Sequence, residues 1–486
     1  MKKTFKIVTV IAGFVCLFYA CKKNTSSETT TQSVPPLQIG QAITGTTLGT
    51  AGGSPASVKG TMLANTTYNV VGDIQVPKGD TLYLQSGVTV CVAVNANIAV
   101  YGVIISMGTQ ANPNVFTCCQ SGATKINTIA QAESPTTDPA WNGVSAGTAE
   151  GWWTGISCDT SCTLCCLKWT NVEFYGAKFA TTYAFVGGTA GSISYGVLFQ
   201  NTNGDLIVED SWFYGGYDDC IRIQTGRLSI MRCTFEKNGG TSGDVLNAKS
   251  GSVGDMAYNL FMGTCTNGTK ASNKGGNAIE CNINMYNNTY VDGGYRQSGW
   301  AGRSGSIDYE QGAEGKAYNN LMVNCRTGAR VCLSPVADTI NCFMGNNYAY
   351  GDSASVLDEV FPVGHVTKPG AYVFPTAAEC NYVFNNSVGA AAYNASAEVG
   401  QGNPKFKNFP LPEAGIVHLY DINWGGAPNA WDFHLTAGSP CIGAGNITAI
   451  SPLAATRVTK APFAAIITAP GADIGCYQSN GTGNQH

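Results

Sequence analysis

The chain has 486 residues, of which 60 are glycine and only 12% are charged, and its formal net charge is −4 at pH 7. Because 44% of the residues are hydrophobic, the chain can bury a large core, which excludes wholesale disorder. The scarcity of charge excludes coiled coils and long solvated helices, and the acidic balance excludes a nucleic-acid binder that relies on a large basic surface. The composition predicts an exported, turn-rich, all-β protein.

The first residues have the pattern of an export signal. Lys2, Lys3 and Lys6 form a basic region that precedes an apolar run over residues 7–20, which is short for a membrane span. The run ends in Leu17-Phe18-Tyr19-Ala20-Cys21, which resembles a bacterial lipobox. The resemblance implies a lipoprotein signal peptide at 1–20, a lipid on Cys21 and an outer-membrane address with the lipid as the only membrane anchor. Simple secretion is the alternative, and the periplasmic and surface faces both stay open.

The chain contains 19 cysteines, and export would permit disulfides among them. The densest group is Cys158, Cys162, Cys165 and Cys166. Its spacing fits no two-plus-two zinc pattern and no histidine lies nearby, so the pattern favours disulfides or buried thiols over a metal site.

Short apolar runs followed by asparagine-rich turns recur along the chain. The first asparagine of each turn lies at Asn259, Asn287, Asn319, Asn346 and Asn385, with steps of 28, 32, 27 and 39 residues. Phe213 and Phe235 end similar strands 22 residues apart. Steps of this length predict a parallel β-helix with an asparagine ladder, and they are too short for a β-propeller. We expect a flexible tether at 21–58, the β-helix at 59–385, and a C-terminal segment at 386–486 packed on it.

The end segments resemble those of a known superfamily. Gly87-Val88-Thr89-Val90 near the start, and Asp432-Phe433-His434-Leu435 and Asp473-Ile474-Gly475-Cys476 near the end, resemble the opening and closing segments of pectate-lyase-like proteins. The middle stretch, from Gly305-Ser306-Ile307 to Gly315-Lys316-Ala317-Tyr318-Asn319-Asn320, resembles β-helix lipoproteins of the Bacteroidota envelope. The resemblance implies a right-handed parallel β-helix with an irregular C-terminal capping segment. It implies no particular reaction, because this fold carries several.

One strand of each coil is predicted to carry a polar outer face. Alternation places Ile221, Leu246, Ile279 and Ile307 inward, and the residues between them outward. The predicted outward row is Arg222, Asn247, Glu280, Asp308 and Arg330, and the parallel row is Gln224, Lys249, Asn282, Glu310 and Cys332. Loops entering this face add Lys270, Arg296, Trp300 and Arg303. A groove of mixed charge with an aromatic side chain suits a glycan, although a solvated solenoid face is the alternative.

Two sequences on this face resemble those of glycan-active enzymes. Asp218-Asp219-Cys220 resembles polygalacturonases, but Asn201-Thr202-Asn203 lacks the family's third acid and its Gly-His-Gly is absent. Lys249-Ser250 resembles chondroitinase-B-like and alginate lyases, which implies Lys249 as the base, although the family's Arg-His-Gly is missing. The predicted assignments are Lys249 and Arg330 as catalytic residues, Arg222, Arg296, Trp300 and Arg303 as glycan contacts, and Glu280, Asp308 and Glu310 as ligands of a Ca²⁺ ion, the only cofactor considered.

Three functions stay open from the sequence. The first is a monomeric, lipid-anchored envelope protein that binds extracellular polysaccharide without catalysis. The second is a polysaccharide lyase that cleaves a uronate-containing glycan by β-elimination, which the residues favour over a glycoside hydrolase. The third is a purely structural surface module. No nucleic-acid partner is expected.

Overall fold

The computed structural model describes residues 37–119, 151–182, 188–239, 243–294, 305–326, 328–331, 337–338, 340–352, 402–412, 431–456 and 463–486. The predicted signal peptide, Cys21 and residues 353–401 lie outside the described residues. Within the described ranges, no helix has both the length and the hydropathy needed to cross a membrane.

The strands of the described residues are numbered β1–β34 along the chain, and β1–β32 form three long sheets. Sheet A consists of β1 (Ala42–Ile43), β4 (Gly60–Met62), β7 (Thr81–Leu84), β10 (Val103–Met107), β13 (Leu164–Lys168), β16 (Asp205–Glu209), β19 (Gly226–Met231), β22 (Ser252–Ala257), β25 (Asn282–Tyr286), β28 (Gly315–Tyr318) and β31 (Cys342–Gly345). Sheet B consists of β2 (Thr47–Leu48), β5 (Thr67–Val70), β8 (Thr89–Val92), β11 (Asn114–Thr117), β14 (Thr170–Glu173), β17 (Trp212–Tyr214), β20 (Thr234–Glu236), β23 (Leu260–Met262), β26 (Thr289–Val291), β29 (Leu321–Val323) and β32 (Tyr348–Tyr350). Sheet C consists of β3 (Ala56–Ser57), β6 (Ile74–Val76), β9 (Asn97–Val100), β12 (Gly155–Cys158), β15 (Val197–Phe199), β18 (Ile221–Ile223), β21 (Leu246–Ala248), β24 (Thr269–Ser272), β27 (Ile307–Glu310) and β30 (Arg330–Val331).

The predicted right-handed parallel β-helix is confirmed. Each strand pairs in parallel with the strand three places further along the chain, so the chain visits sheets A, B and C in turn and then starts the next coil. The first coil begins at Ala42, inside the segment predicted as a tether at 21–58. Its strands are only two residues long, too short to show the apolar alternation that marks the later coils.

The interior of the coils is a stack of apolar side chains in register. Phe213, Phe235, Phe261 and Tyr290 occupy the same place in successive coils, with ring centroids 5.3, 5.1 and 4.8 Å apart. All four are at most 1% exposed. Aromatic stacking of this kind stabilises each coil against the next beyond the burial of area alone.

The predicted asparagine ladder exists, but it uses the second asparagine of the later turns, so Asn287, Asn319 and Asn346 were predicted one position too early. Asn259, Asn288, Asn320 and Asn347 form the ladder, and each side-chain oxygen of the last three accepts from the preceding asparagine at 2.9–3.1 Å. The first asparagines of the later turns instead have left-handed backbones, with a φ of 51° at Asn287. Asparagine is favoured there because its short polar side chain tolerates this conformation.

The C-terminal residues form an irregular segment held on the solenoid by hydrogen bonds. Its regular elements are the antiparallel pair β33 (Phe406–Asn408) and β34 (Asp432–Leu435) and a 3₁₀ turn at Ala454–Thr456. Glu209 in sheet A accepts the backbone N–H of Ile466 at 2.6 Å, and Asp255 accepts that of Ala454 at 2.6 Å. Charged side chains on the outside of sheet A therefore serve to hold this segment.

The described cysteines are a disulfide pair and buried thiols, as the sequence pattern favours. Cys91 and Cys119 form a disulfide, and the other cysteines of the described residues are buried free thiols. Cys158, Cys162 and Cys165 lie at 0% exposure in the core. Within the described ranges, no group of cysteines or histidines has its ligand atoms close enough together to hold a metal.

Candidate functional site: the charged outer face of sheet C

Strand pairing in sheet C brings charged residues of successive coils side by side. Arg222 pairs with Asn247, Asn247 with Lys270, Lys270 with Asp308, and Asp308 with Arg330. We call these five residues the sheet C row. The backbones of neighbours in such a row lie about 4.8 Å apart. Within the described side chains of the row, Lys270 contacts Asp308. The inward residues Ile221, Leu246 and Ile307 are 0% exposed, as the alternation predicts.

One position of the predicted row is wrong. Lys270, not Glu280, stands between Asn247 and Asp308, because the strand of this coil is β24 and not the stretch around residue 280. Ile279, which was predicted to point inward, is 45% exposed. Thr269 and Ala271 fill the inward positions of this coil, but they are less apolar than Ile279 and Cys281. The alternation of apolar residues therefore predicted the strand at the wrong place.

Most charges of this face are buried and paired. Arg222 contacts Asp219 at 2.8 Å, and Lys270 contacts Asp244, Asp308 and Glu310 at 3.6, 3.7 and 2.9 Å. The side chain of Lys270 is 3% exposed. These contacts raise the pKa of Lys270 even though burial alone would lower it. Lys270 therefore stays charged and neutralises the acids around it.

An amide bridges two carboxylates at the centre of the face. Asn247 donates to Asp219 at 2.9 Å and to Asp244 at 3.2 Å. Asp244 also accepts from the side chain of Asn267 at 2.7 Å. This network positions the carboxylates rigidly, since each carboxylate is held by donors from more than one coil.

Lys249 differs from the other cations of this face. It follows β21 directly and is 4% exposed, yet among the described residues its ammonium group has neither a hydrogen bond nor an ion pair. Burial, followed by the positive charges of Arg222 and Lys270, lowers its pKa to about 8. A buried lysine with a pKa this close to neutral pH can act as a general base.

The pKa of Asp218, which lies just before β18, shifts in the opposite direction to that of Lys249. Burial, followed by the negative charges of Asp219 and Asp244, raises the pKa of Asp218 to about 7. Asp218, Arg222 and Tyr195 are half-buried, and the guanidinium of Arg222 lies 5.0 Å from the ring centroid of Tyr195. The Nε atom of Arg222 has no hydrogen-bond partner in the described part of the chain. The face thus has a buried donor without a partner, and an acid and a base that titrate close to neutral pH.

The predicted calcium ligands are not brought together. Asp308 and Glu310 both face Lys270, whose ammonium group occupies the position of a cation between them. Glu280 instead lies with Glu314 and Asp338, and their carboxylate oxygens are within 4.8 Å of one another. Glu280 is exposed, and exposed acidic groups of this kind are common without a metal.

Three predicted glycan contacts, Arg296, Trp300 and Arg303, lie outside the described residues, as does the side chain of Arg330. Conversely, the sequence interpretation considered Asp219 only as part of a polygalacturonase-like motif and missed Asp244 and Tyr195 as members of this face. The spacing of 23 residues from Asn247 to Lys270 is close to the 22-residue step from Phe213 to Phe235 and is the sequence signal that favours Lys270 as a row member.

Comparisons with models of protein families, with curated proteins and with solved structures each found no match to this chain.

Proposed function

We propose that this is a lipid-anchored cell-envelope protein of the pectate-lyase-like type that cleaves a uronate-containing polysaccharide by β-elimination on the outer face of sheet C. The observation that carries the proposal is Lys249: it is buried, makes no hydrogen bond or ion pair among the described residues, and has a pKa of about 8 although the nearby carboxylates of Asp244 and Asp219 act to raise it. A structural lysine at such a position would be expected to have a carboxylate partner, as Lys270 has.

The reaction assigns one role to each group. The neutral amine of Lys249 removes the proton on the carbon beside the uronate carboxylate, and the electron pair moves towards that carboxylate. Arg222 stabilises the negative charge that develops there, through donors that Asp219 does not use. The bond to the leaving sugar oxygen then breaks, a double bond forms in the uronate ring, and protonated Asp218 supplies a proton to the leaving oxygen.

Access to the base is consistent with this geometry. Lys249 lies close enough to Arg222 for their charges to repel, and Arg222 is 21% exposed. A glycan carboxylate that pairs with Arg222 would therefore come near Lys249.

The test is incubation of the protein with a panel of uronate polysaccharides, read by the ultraviolet absorbance of the unsaturated product. Lys249→Met should lower turnover at least 1,000-fold while circular dichroism stays unchanged, an order of magnitude typical for loss of a general base. The matched control is Lys59→Met, since Lys59 is an exposed lysine whose side chain is 63% exposed and pairs with Asp80. Equal turnover by the wild type and Lys249→Met would refute the assignment.

Non-catalytic binding of polysaccharide is the second candidate. It is favoured by the pairing of Arg222 and Lys270 with carboxylates, which leaves a rigid face of mixed charge. In this case no substrate gives an unsaturated product, and Arg222→Ala weakens retention on an immobilised acidic polysaccharide, whereas Lys249→Met does not.

The anchor is proposed from the sequence alone. A lipid on Cys21 would hold the protein at the outer membrane, with residues after Cys21 leading to the first coil at Ala42. Cys21→Ser should move the protein from the membrane fraction to the soluble fraction. Unchanged partitioning of Cys21→Ser would contradict a lipid anchor at this residue.

A further inference from the structure

A cavity of about 480 Å³ lies on another face of the molecule, between the outside of sheet B and the C-terminal segment. Outward residues of successive sheet B strands line one side, among them Asn171, Trp212 and Met262. Residues of the C-terminal segment line the other side, among them Trp431, His434 and Tyr477. The volume is within the range of 300–1,000 Å³ that small-molecule sites occupy.

Three ring nitrogens of this lining have unsatisfied hydrogen-bonding capacity. Nε1 of Trp212, Nε1 of Trp431 and Nε2 of His486 are buried and have no hydrogen-bond partner among the described residues. Trp212 is 7% exposed as a whole. Buried indole N–H groups are normally paired, because leaving one unpaired costs about 1–3 kcal/mol. Two unpaired indoles that line one cavity therefore indicate a ligand with hydrogen-bond acceptors.

The structure shows what a paired indole looks like in the same protein. Trp153 is fully buried, and its Nε1 donates to the backbone carbonyl of Glu173 at 2.8 Å. The indole N–H of Trp153 is thus paired, as buried indoles usually are. The indole N–H groups of Trp212 and Trp431, which line the cavity, are unpaired within the described residues.

The other lining groups narrow the chemistry of the ligand. Several aromatic rings line the cavity, and His434 and Tyr477 have ring centroids 4.2 Å apart. Among the described lining residues there is no lysine or arginine, and Asp432 is already paired with His434 at 2.6 Å and with Lys407 at 2.8 Å. An anionic ligand would therefore find no free cation there, and a purely apolar ligand would leave the indole N–H groups unpaired.

We propose that this cavity binds a neutral saccharide, with the apolar face of a sugar ring on the aromatic side chains and sugar oxygens as acceptors for Trp212 and Trp431. Sugars combine apolar C–H faces with many acceptor and donor oxygens, which is the combination that the lining requires. Asn171 and Gln110 supply amide groups for the remaining hydroxyls. The site does not depend on the lyase proposal, because it uses sheet B and the C-terminal segment and does not involve Lys249.

The experiment is isothermal titration of the soluble domain with neutral disaccharides (cellobiose, maltose, mannobiose and xylobiose), together with retention on the matching polymers. At least one of these sugars should bind. Trp212→Phe and Trp431→Phe, which keep an aromatic ring and remove the N–H, should each raise the Kd of that sugar about 3- to 10-fold. Binding of the polymer without the disaccharide identifies an extended chain as the ligand, and binding of both identifies a short saccharide unit.

The stability of the variants separates a ligand-binding role from a structural one. Trp212→Phe removes an N–H that has no partner in the protein, so the melting temperature should stay the same or rise. Trp153→Phe is the matched control: it removes a paired N–H, so it should lower the melting temperature and leave the Kd unchanged. Lys249→Met should also leave the Kd unchanged. The proposal is overturned if no neutral saccharide binds, or if sugar binding is equally strong in wild type, Trp212→Phe and Trp431→Phe.

Discussion

The ammonium group of Lys270 lies 2.9 Å from Oε1 of Glu310, which belongs to the next strand of sheet C. This contact explains why the acids of the face coexist in a buried position, since Lys270 also faces Asp244 and Asp308. In the predicted calcium site a metal would have neutralised these acids. In the structure, an internal lysine performs that role.

Removal of this lysine should be costly. We expect Lys270→Met to lower the free energy of unfolding by about 3–5 kcal/mol, because it removes the cation that three buried or half-buried carboxylates share. Urea unfolding measures the change. Lys270→Arg is the control that keeps the charge and should lose less. A Met variant as stable as the wild type would show that these charges are not coupled.

The pH dependence of turnover should reflect Lys249 and Asp218. The base must be neutral, which requires a pH above about 8, and the acid must be protonated, which requires a pH below about 7. Turnover should therefore follow a bell-shaped curve with its maximum between these values. Asp218→Asn should give a lower rate that rises through the pKa of Lys249 without an alkaline decline. Rates that do not vary with pH from 6 to 9 would exclude both roles.

Glu173 should make the protein less stable as the pH rises. Burial raises the pKa of Glu173 to about 7 from an ordinary value of 4.5. Between these values the folded state binds more protons than the unfolded state, so its contribution is complete below the lower value and is lost as the pH rises through the higher one. Glu173→Gln should remove a decline of up to about 3 kcal/mol between pH 4 and pH 8. Urea unfolding at several pH values measures this, and parallel curves for the two proteins would contradict it.

The asparagine ladder should contribute to stability out of proportion to its size. Asn288→Ala removes the acceptor of the backbone N–H of Asn259, which is left buried and unpaired, and one of the two acceptors of the Asn259 side-chain amide, which keeps its bond to the carbonyl of Ile230. We expect a loss of about 2–4 kcal/mol. Asn69→Ala, at an exposed position of β5, is the control and should change stability by less than about 0.5 kcal/mol. Equal losses for the two variants would mean that the ladder adds nothing specific.

The disulfide should stabilise the first coils. Cys91 and Cys119 are 28 residues apart in sequence, and closing a loop of this size stabilises by about 3–4 kcal/mol in the chain-entropy description. The double variant Cys91→Ser/Cys119→Ser should show this loss in thermal unfolding. Adding a reductant to the wild type should reproduce it, whereas the same reductant should leave the double variant unchanged. Identical melting of wild type and variant would contradict the expectation.

The sequence by itself determined the architecture, because a solenoid repeats one local pattern. Every coil needs the same turn and the same inward apolar positions. The asparagine turns therefore recur along the sequence, and so does the apolar alternation around Ile221, Leu246 and Ile307. The length of a coil and the inward-facing residues can then be predicted from the sequence without knowing the whole fold. Four of the five residues of the sheet C row were predicted in this way.

Only the tertiary structure decided which residues meet across coils and around the C-terminal segment. Inward positions filled by Thr269 and Ala271 carry a weak apolar signal, so the place of Lys270 depended on strand pairing. That Lys249 is buried without a hydrogen bond or ion pair among the described residues is a property of what surrounds it, and the sequence alone does not show which charges are paired directly. The cavity at Trp212 and Trp431 joins residues 219 positions apart, and such contacts arise from packing of the C-terminal segment and not from any local pattern.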